Sequence, residues 1–245
     1  MNALPRFLAL DTSTDEMSVA LGLLDQPLLE RAEPGGAKAS AHVLPMVAQV
    51  LAQQGWALTE LSALVFGQGP GAFTGLRTAC AVVQGLAYGA GVPVVPVSTL
   101  LACAEAARVL RPVPEADWRV CAMLDARMNE VYVASYAYSA TQGWQVLSEP
   151  ALCAPQALTL SQGETTLVGN AWAVYADAWP AALHAVERMD SRPGAAACLR
   201  LGQRAWAQGL ALPAHAAQPV YVRNKVAQTT AEREALARAS QAADA

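Results

Sequence analysis

Apolar residues run without a break from Phe7 to Leu10 and stop at Asp11. After the polar stretch Asp11-Thr12-Ser13-Thr14-Asp15-Glu16 they return in alternation at Met17, Val19 and Leu21. A continuous apolar run, a hydroxyl-rich turn and then a period of two predict a β-hairpin. Residues 28–32 supply a third strand before the break at Gly35-Gly36. From Ser40 the period changes. Leu44, Val47, Val50 and Leu51 fall at helical spacing and Gly55 is a stop, which predicts a helix over 41–54. A strand over 61–66, a loop holding Gly67, Gly69, Pro70, Gly71 and Gly75, a helix over 74–88, a strand over 92–97 and a helix over 99–110 complete the order βββαβαβα.

Arg111-Pro112-Val113-Pro114-Glu115 interrupts this apolar texture and is the candidate linker. The pattern then restarts. Residues 120–125 form an apolar strand ending in Asp125, and residues 130–136 alternate Val131 and Val133 against Tyr132 and Ala134. Laying Leu10-Asp11 over Leu124-Asp125 also brings Glu16 onto Glu130 and Ala20 onto Ala134, a weak internal repeat that points to two lobes on one plan. The second half predicts a third strand at 144–147, a short helix at 155–160, a strand at 166–168 ending at Gly169-Asn170, and an alanine-rich helix at 195–208. Residues 218–225 read as extended, and the tail from 229 as a helix that frays at its end. The expected division is a first lobe over 1–110, a reduced second lobe over 111–217, and a tail from about 218 free to return to the first.

Composition narrows the function classes. The 245 residues can bury a sizeable core, only 15% are charged, and the net charge is -4. No run of Lys and Arg lies on a predicted helix face, so direct nucleic-acid binding is not expected and RNA would be held by another chain. The five cysteines form no C-x-x-C pair and sit in apolar segments, as reduced core residues of a cytosolic protein do. No long apolar stretch precedes Asp11, so no signal peptide is expected. The uncharged span 78–104 is divided by Gln84, three glycines, Pro93 and Pro96, which fits a helix and a buried strand better than a membrane span.

The glycine loop carries the sharpest chemistry. Helix N-termini present unpaired N–H groups, so a loop that aims one at a ligand is a candidate phosphate or carboxylate cradle. Gly67-Gln68-Gly69-Pro70-Gly71-Ala72 fits G-x-G-x-x-A formally, but the following strand ends in Ser98 where the dinucleotide fingerprint needs an acid. No Lys follows the last glycine, so the P-loop pattern fails too. The alternative, a loop shaped for close packing, stays open.

Five stretches together resemble the TsaB (YeaZ) family. They are Leu8-Ala9-Leu10-Asp11-Thr12-Ser13, the loop from Gly67 to Arg77, Val97-Ser98-Thr99-Leu100, Leu124-Asp125-Ala126-Arg127-x-x-Glu130-Val131-Tyr132, and Pro219-Val220-Tyr221-x-Arg223-Asn224. The likeness runs through nearly the whole chain and is loosest between 145 and 217. It implies an α/β, two-lobed actin-like ATPase fold, shared with acetate and sugar kinases and heat-shock chaperones, each lobe RNase H-like and the second reduced. It further implies a cytoplasmic, non-catalytic dimerisation subunit of the bacterial machinery that makes threonylcarbamoyladenosine in tRNA. Its partners would be the catalytic paralogue TsaD, the ATPase TsaE, and a second copy when TsaD is missing. Contact with tRNA would come through the complex only, and no membrane is involved.

The same resemblance locates the candidate sites. The catalytic paralogue has a metal-binding His pair after the strand that follows the glycine-loop helix, where this chain has Ser98-Thr99-Leu100-Leu101-Ala102-Cys103. His42, His184 and His215 are scattered and share no helix spacing, so neither a metal nor a catalytic residue is assigned. Superfamily hairpin turns imply Asp11 and Asp125 as magnesium-holding carboxylates, with Thr12, Ser13, Thr14, Gly69 and Gly71 toward phosphates and Gly169 in a residual adenosine loop. That would amount to no required cofactor and at most weak ATP or ADP binding with magnesium. The competing reading of Asp11 is an Asx bond that closes its own turn. The expected partner interface comprises His42, Val43, Met46, Val50 and Gln53 on one helix and Arg77, Ala81, Gln84 and Tyr88 on the next. Two enzyme readings stay open beside the scaffold: a small ATPase or kinase-like enzyme, and a glycoprotease-like metallopeptidase.

Overall fold

The computed structural model describes residues 4–223 apart from positions 25, 27, 28, 114 and 162. The first sheet contains β1 (Arg6–Asp11), β2 (Glu16–Leu23), β3 (Leu29–Pro34), β4 (Ala63–Gly69) and β5 (Val94–Ser98), in the order β3-β2-β1-β4-β5. β2 runs antiparallel to β1 and β3, whereas β1, β4 and β5 are parallel. β1 lacks the polar alternation of a surface strand because both its faces are covered. Leu8 and Leu10 point into one core with Met17, Val19 and Leu21, while Phe7 and Ala9 point into another with Ala20 and Val65. A strand buried on both sides reads as an unbroken apolar run.

Helices α1 (Ala39–Gln54) and α2 (Phe73–Ala90) cover the first of these faces. Gly55 ends α1 in the left-handed conformation, φ 65°, as expected of a helix stop. Val43, Met46, Val47, Val50 and Leu51 make the buried stripe of α1. Helix α3 (Thr99–Leu110) leaves β5 through an N-cap in which Ser98 Oγ accepts the N–H of Leu101, and it lies between the two sheets.

The second sheet contains β6 (Trp118–Asp125), β7 (Val131–Ser139), β8 (Gly143–Cys153), β9 (Thr166–Val168) and β10 (Glu187–Met189), in the order β10-β9-β6-β7-β8. Read from β8, this repeats the first sheet: an antiparallel meander of three strands with two parallel strands beyond its first member. The repeat seen at Asp11 and Asp125 therefore marks equivalent positions, the end of the first strand in each lobe. The two lobes have the actin-like plan, and the second is reduced, with β9 and β10 only three residues long and α4 (Ala171–Val174) a single turn.

Several expectations are corrected. Helix α5 (Ala195–Ala207), assigned to the second lobe by its place in the chain, packs on the far face of the first sheet through Ala195, Cys198, Leu199 and Leu201. Residues 214–216 likewise lie against α2, so the first lobe takes back the chain well before residue 218. The strand predicted at 61–66 continues through Gly69, and the helix predicted at 155–160 is a 3-10 turn over 155–157. β8 runs far beyond 144–147, and α4 and β10 were not anticipated, being too short to show a period. Asn224, Lys225 and the helix expected from 229 lie outside the described residues. No helix among the described residues is long and apolar enough to cross a membrane.

A buried ionic cluster joins the lobes. Glu105 of α3 is fully buried; it accepts two hydrogen bonds from Arg108 (2.7 and 2.9 Å), one from Arg200 of α5 (3.1 Å) and one from Trp144 Nε1 of β8 (2.8 Å). Burial pushes this carboxyl up, but the bonds from Arg108 and Trp144 and the two guanidinium charges outweigh it and hold the group below the usual carboxylate range.

Candidate functional site

The glycine loop is pressed against the turn that joins β1 to β2. Ala72 N–H donates to the Ser13 carbonyl (2.7 Å), Thr12 Oγ1 donates to the Gly75 carbonyl (2.7 Å), and Thr99 Oγ1 donates to the Pro70 carbonyl. A Cβ on Gly75 would stand 1.8 Å from the Thr12 carbonyl, and one on Gly67 would stand 1.9 Å from Asp11 Oδ2. Only glycine admits such approaches. This is the close-packing geometry: the loop seats the turn.

Asp11 itself is buried. Its Oδ1 accepts the N–H of Ser13 (3.0 Å) and the Ser13 hydroxyl (2.8 Å), which closes an Asx turn. Its Oδ2 is buried against Gly67 with no partner among the described residues. Burial raises its pKa to about 6, against the pull of the two bonds from Ser13.

The equivalent turn of the second lobe is differently built. Asp125 Oδ1 accepts the Arg127 N–H (2.8 Å) and the Tyr175 hydroxyl (2.7 Å), while Oδ2 pairs with the Arg127 guanidinium (3.1 Å). Its own N–H donates to Asn170 Oδ1 (3.0 Å). Arg127, Met128 and Asn129 all have positive φ, between 56° and 63°. Three successive non-glycine residues in the left-handed region cost roughly 1–2 kcal/mol each.

Between the two turns lies a cavity of about 410 Å³. Of the residues expected at a nucleotide site, Ser13, Thr14, Gly71 and Asp125 line it; Asp11, Thr12, Gly69 and Gly169 do not. Gly169 is instead pressed on the Met123 carbonyl, and its neighbour Asn170 reaches the cavity. Among the lining missed from sequence are Phe73, at the start of α2, and Tyr221 and Arg223, brought in by the segment after Ala217. Its signal was already in the Pro219-x-Tyr221-x-Arg223 motif, although nothing in that motif says which cleft it enters.

A hydrated magnesium with phosphates, as the actin-like fold implies, needs free carboxylate and hydroxyl oxygens at this cleft. The residues present do not fit it. The free oxygen of Asp11 faces backbone, the Ser13 and Thr14 hydroxyls donate to Asp11 and to the Glu16 carbonyl, and both oxygens of Asp125 are taken. Among the described residues no three His, Cys, Asp or Glu side chains converge on one point.

The second candidate surface is the outer side of α1 and α2. Arg77, Ala81 and Tyr88 are exposed, Tyr88 by 83%, and Gln84 is half-buried with its amide directed at the His215 carbonyl (3.4 Å). His42 and Gln53 are exposed on α1. Val43, Met46 and Val50 are not: they form the buried stripe of α1, because a helix on a sheet must turn its apolar face inward. The exposed side of α1 is instead His42, Leu44, Pro45, Gln49 and Gln53.

Residues 36–230 match the model of the family described as "TsaD: tRNA N6-adenosine threonylcarbamoyltransferase". The chain is 36% identical over 230 residues to a tRNA threonylcarbamoyladenosine biosynthesis protein TsaB of Haemophilus influenzae, covering 89% of this chain and 94% of that protein. It is 35% identical to the Escherichia coli protein of the same name, covering 91% and 96%. Among solved structures, YeaZ from Pseudomonas aeruginosa superposes with a TM-score of 0.79 at 35% identity, covering 89% of this chain and all of the other. With likeness at this level over nearly the full length, and with the two-lobed plan and the glycine loop in place, the chain belongs to the TsaB (YeaZ) family.

Proposed function

We propose that this chain acts in tRNA threonylcarbamoyladenosine biosynthesis as a non-catalytic subunit that binds the catalytic paralogue TsaD, and with it the ATPase TsaE, in the cytoplasm. The observation that carries the reading is the use to which the cleft's polar groups are put. Hydroxyls and carboxylates that would handle a substrate are spent on holding the two hairpin turns, and the start of α3, where TsaD has its His pair, presents buried Thr99, Leu100 and Cys103. Binding then falls to the outer side of α2. Ala81, Gly85 and Gly89 are exposed there with no bulk to keep another helix away, and Tyr88 stands ready as an anchor. Paired with the exposed side of α1, this surface can form a four-helix contact with the paralogue, or with a second copy in its absence. The tRNA is then met through the assembly.

The test is reconstitution with purified TsaD, TsaE, threonylcarbamoyl-adenylate and tRNA. The modified nucleoside should form only when this chain is added, and the chain alone should form none. Modification that proceeds equally well without it overturns the reading. Ala81→Arg should abolish co-elution with TsaD while the monomer stays folded by circular dichroism.

A further inference from the structure

The segment after Ala217 joins the lobes within a few residues. Ala217 is buried in the core beneath α1 and α2, and Val222 packs against the core of the second sheet. Between them Val220 N–H donates to the Gln68 carbonyl (2.7 Å), at the end of β4. Tyr221 lies against Phe73, ring centroids 5.0 Å apart, and its hydroxyl accepts a hydrogen bond from Arg77 Nε (3.0 Å). The Arg77 guanidinium also lies over the Phe73 ring at 3.8 Å. Arg223 then grips the left-handed turn. It donates to the Arg127 carbonyl (3.3 Å), contacts Met128 Sδ (3.0 Å) and pairs with Glu130 (2.5 Å), its side chain only 13% exposed.

Two features mark this grip as poised. The turn it holds has three successive residues in the left-handed region, a conformation that costs free energy to maintain. Arg223 Nε is buried without a partner among the described residues, so the clamp is not fully satisfied. At its other end the segment is tied to Arg77, an exposed residue on the docking side of α2.

We propose that residues 219–223 form a strap across the cleft that relays occupancy of the α2 surface to the second-lobe turn: a partner that engages Arg77 frees Tyr221, and the loosened strap releases Arg127, Met128 and Asn129 at the cavity mouth. Its regulatory meaning rests on the docking role of α2 proposed above, but the relay is built into the chain and can be measured without any partner.

Hydrogen exchange followed by mass spectrometry on the full chain tests it. Arg223→Gln should speed exchange of amides 126–130 by about tenfold or more, with β1 and β2 unchanged. Arg77→Ala and Tyr221→Phe cut the same bond at the far end and should speed the same amides by about threefold or more. Tyr221→Phe keeps the ring packing, so it reports the bond even if a larger change perturbs folding. Unchanged exchange at 126–130 in Arg223→Gln, or loosening confined to 73–77 in the other two variants, overturns the relay. Docking stands or falls separately, on co-elution with TsaD.

Discussion

At the scale of single residues, Asp11 shows how a group suited to chemistry can become a structural fixture. Burial favours its neutral form in the folded state, with a pKa of about 6 against an ordinary value of 3.8. A carboxyl whose folded pKa is raised stabilises the fold below the unfolded value, and that contribution is lost as pH rises through 6. Two units correspond to about 3 kcal/mol. Asp11→Asn keeps an oxygen for Ser13 and carries no charge, so its stability relative to the parent chain should improve by about 2–3 kcal/mol between pH 4 and pH 8. Urea unfolding of both proteins at the two pH values measures this, and a difference independent of pH would contradict the assignment. Glu105 works in the opposite direction. Its carboxyl is held low, so its contribution is present above the ordinary carboxylate pKa and lost as pH falls through the lower folded value.

At the scale of elements, α1 shows why period and direction are separate questions. Hydrophobic spacing locates the helix and its stop at Gly55, but both sides of α1 carry apolar residues, among them Leu44 outside and Val43, Met46 and Val50 inside. Two substitutions separate packing from docking. Met46→Ala should cost about 2–5 kcal/mol by opening a cavity beneath α1, and affect TsaD binding only through that loss. Ala81→Arg should leave stability within about 0.5 kcal/mol and remove binding. Thermal unfolding with co-elution reads both; if Met46→Ala is silent in stability, the buried stripe is misplaced. The position of α2 was legible in advance for a physical reason: a loop of glycines and Pro70 ends where an uninterrupted helix-compatible run begins.

At the scale of the whole molecule, the lobes are held by more than the link between α3 and β6. The Glu105 cluster ties α3, α5 and β8 together, and the segment from Ala217 to Arg223 ties the opposite side of the cleft. Removing the charge of Glu105 takes away the buried counter-charge that Arg108 and Arg200 share, so Glu105→Gln should cost about 3–5 kcal/mol at pH 7. The loss should shrink as pH falls below the ordinary carboxylate range, where the parent carboxyl also takes up its proton. Chemical unfolding across that range checks it, and a cost that grows with acid would reverse the sign argued here.

The amino-acid sequence by itself determined the order of strands and helices in the first lobe, the restart after the linker, and the paired hairpin ends at Asp11 and Asp125. These are recorded in local period and in residues with few conformational alternatives, which neighbours along the chain suffice to specify. Tertiary structure alone decided that α5 belongs to the first sheet, that Val43, Met46 and Val50 face inward, that the Asp11 oxygen meets Gly67 rather than the cavity, and that Arg223 closes on the second-lobe turn. Each of these depends on which surfaces far apart in the chain exclude water together, and a one-dimensional pattern of apolar positions does not say which partner an apolar face will find.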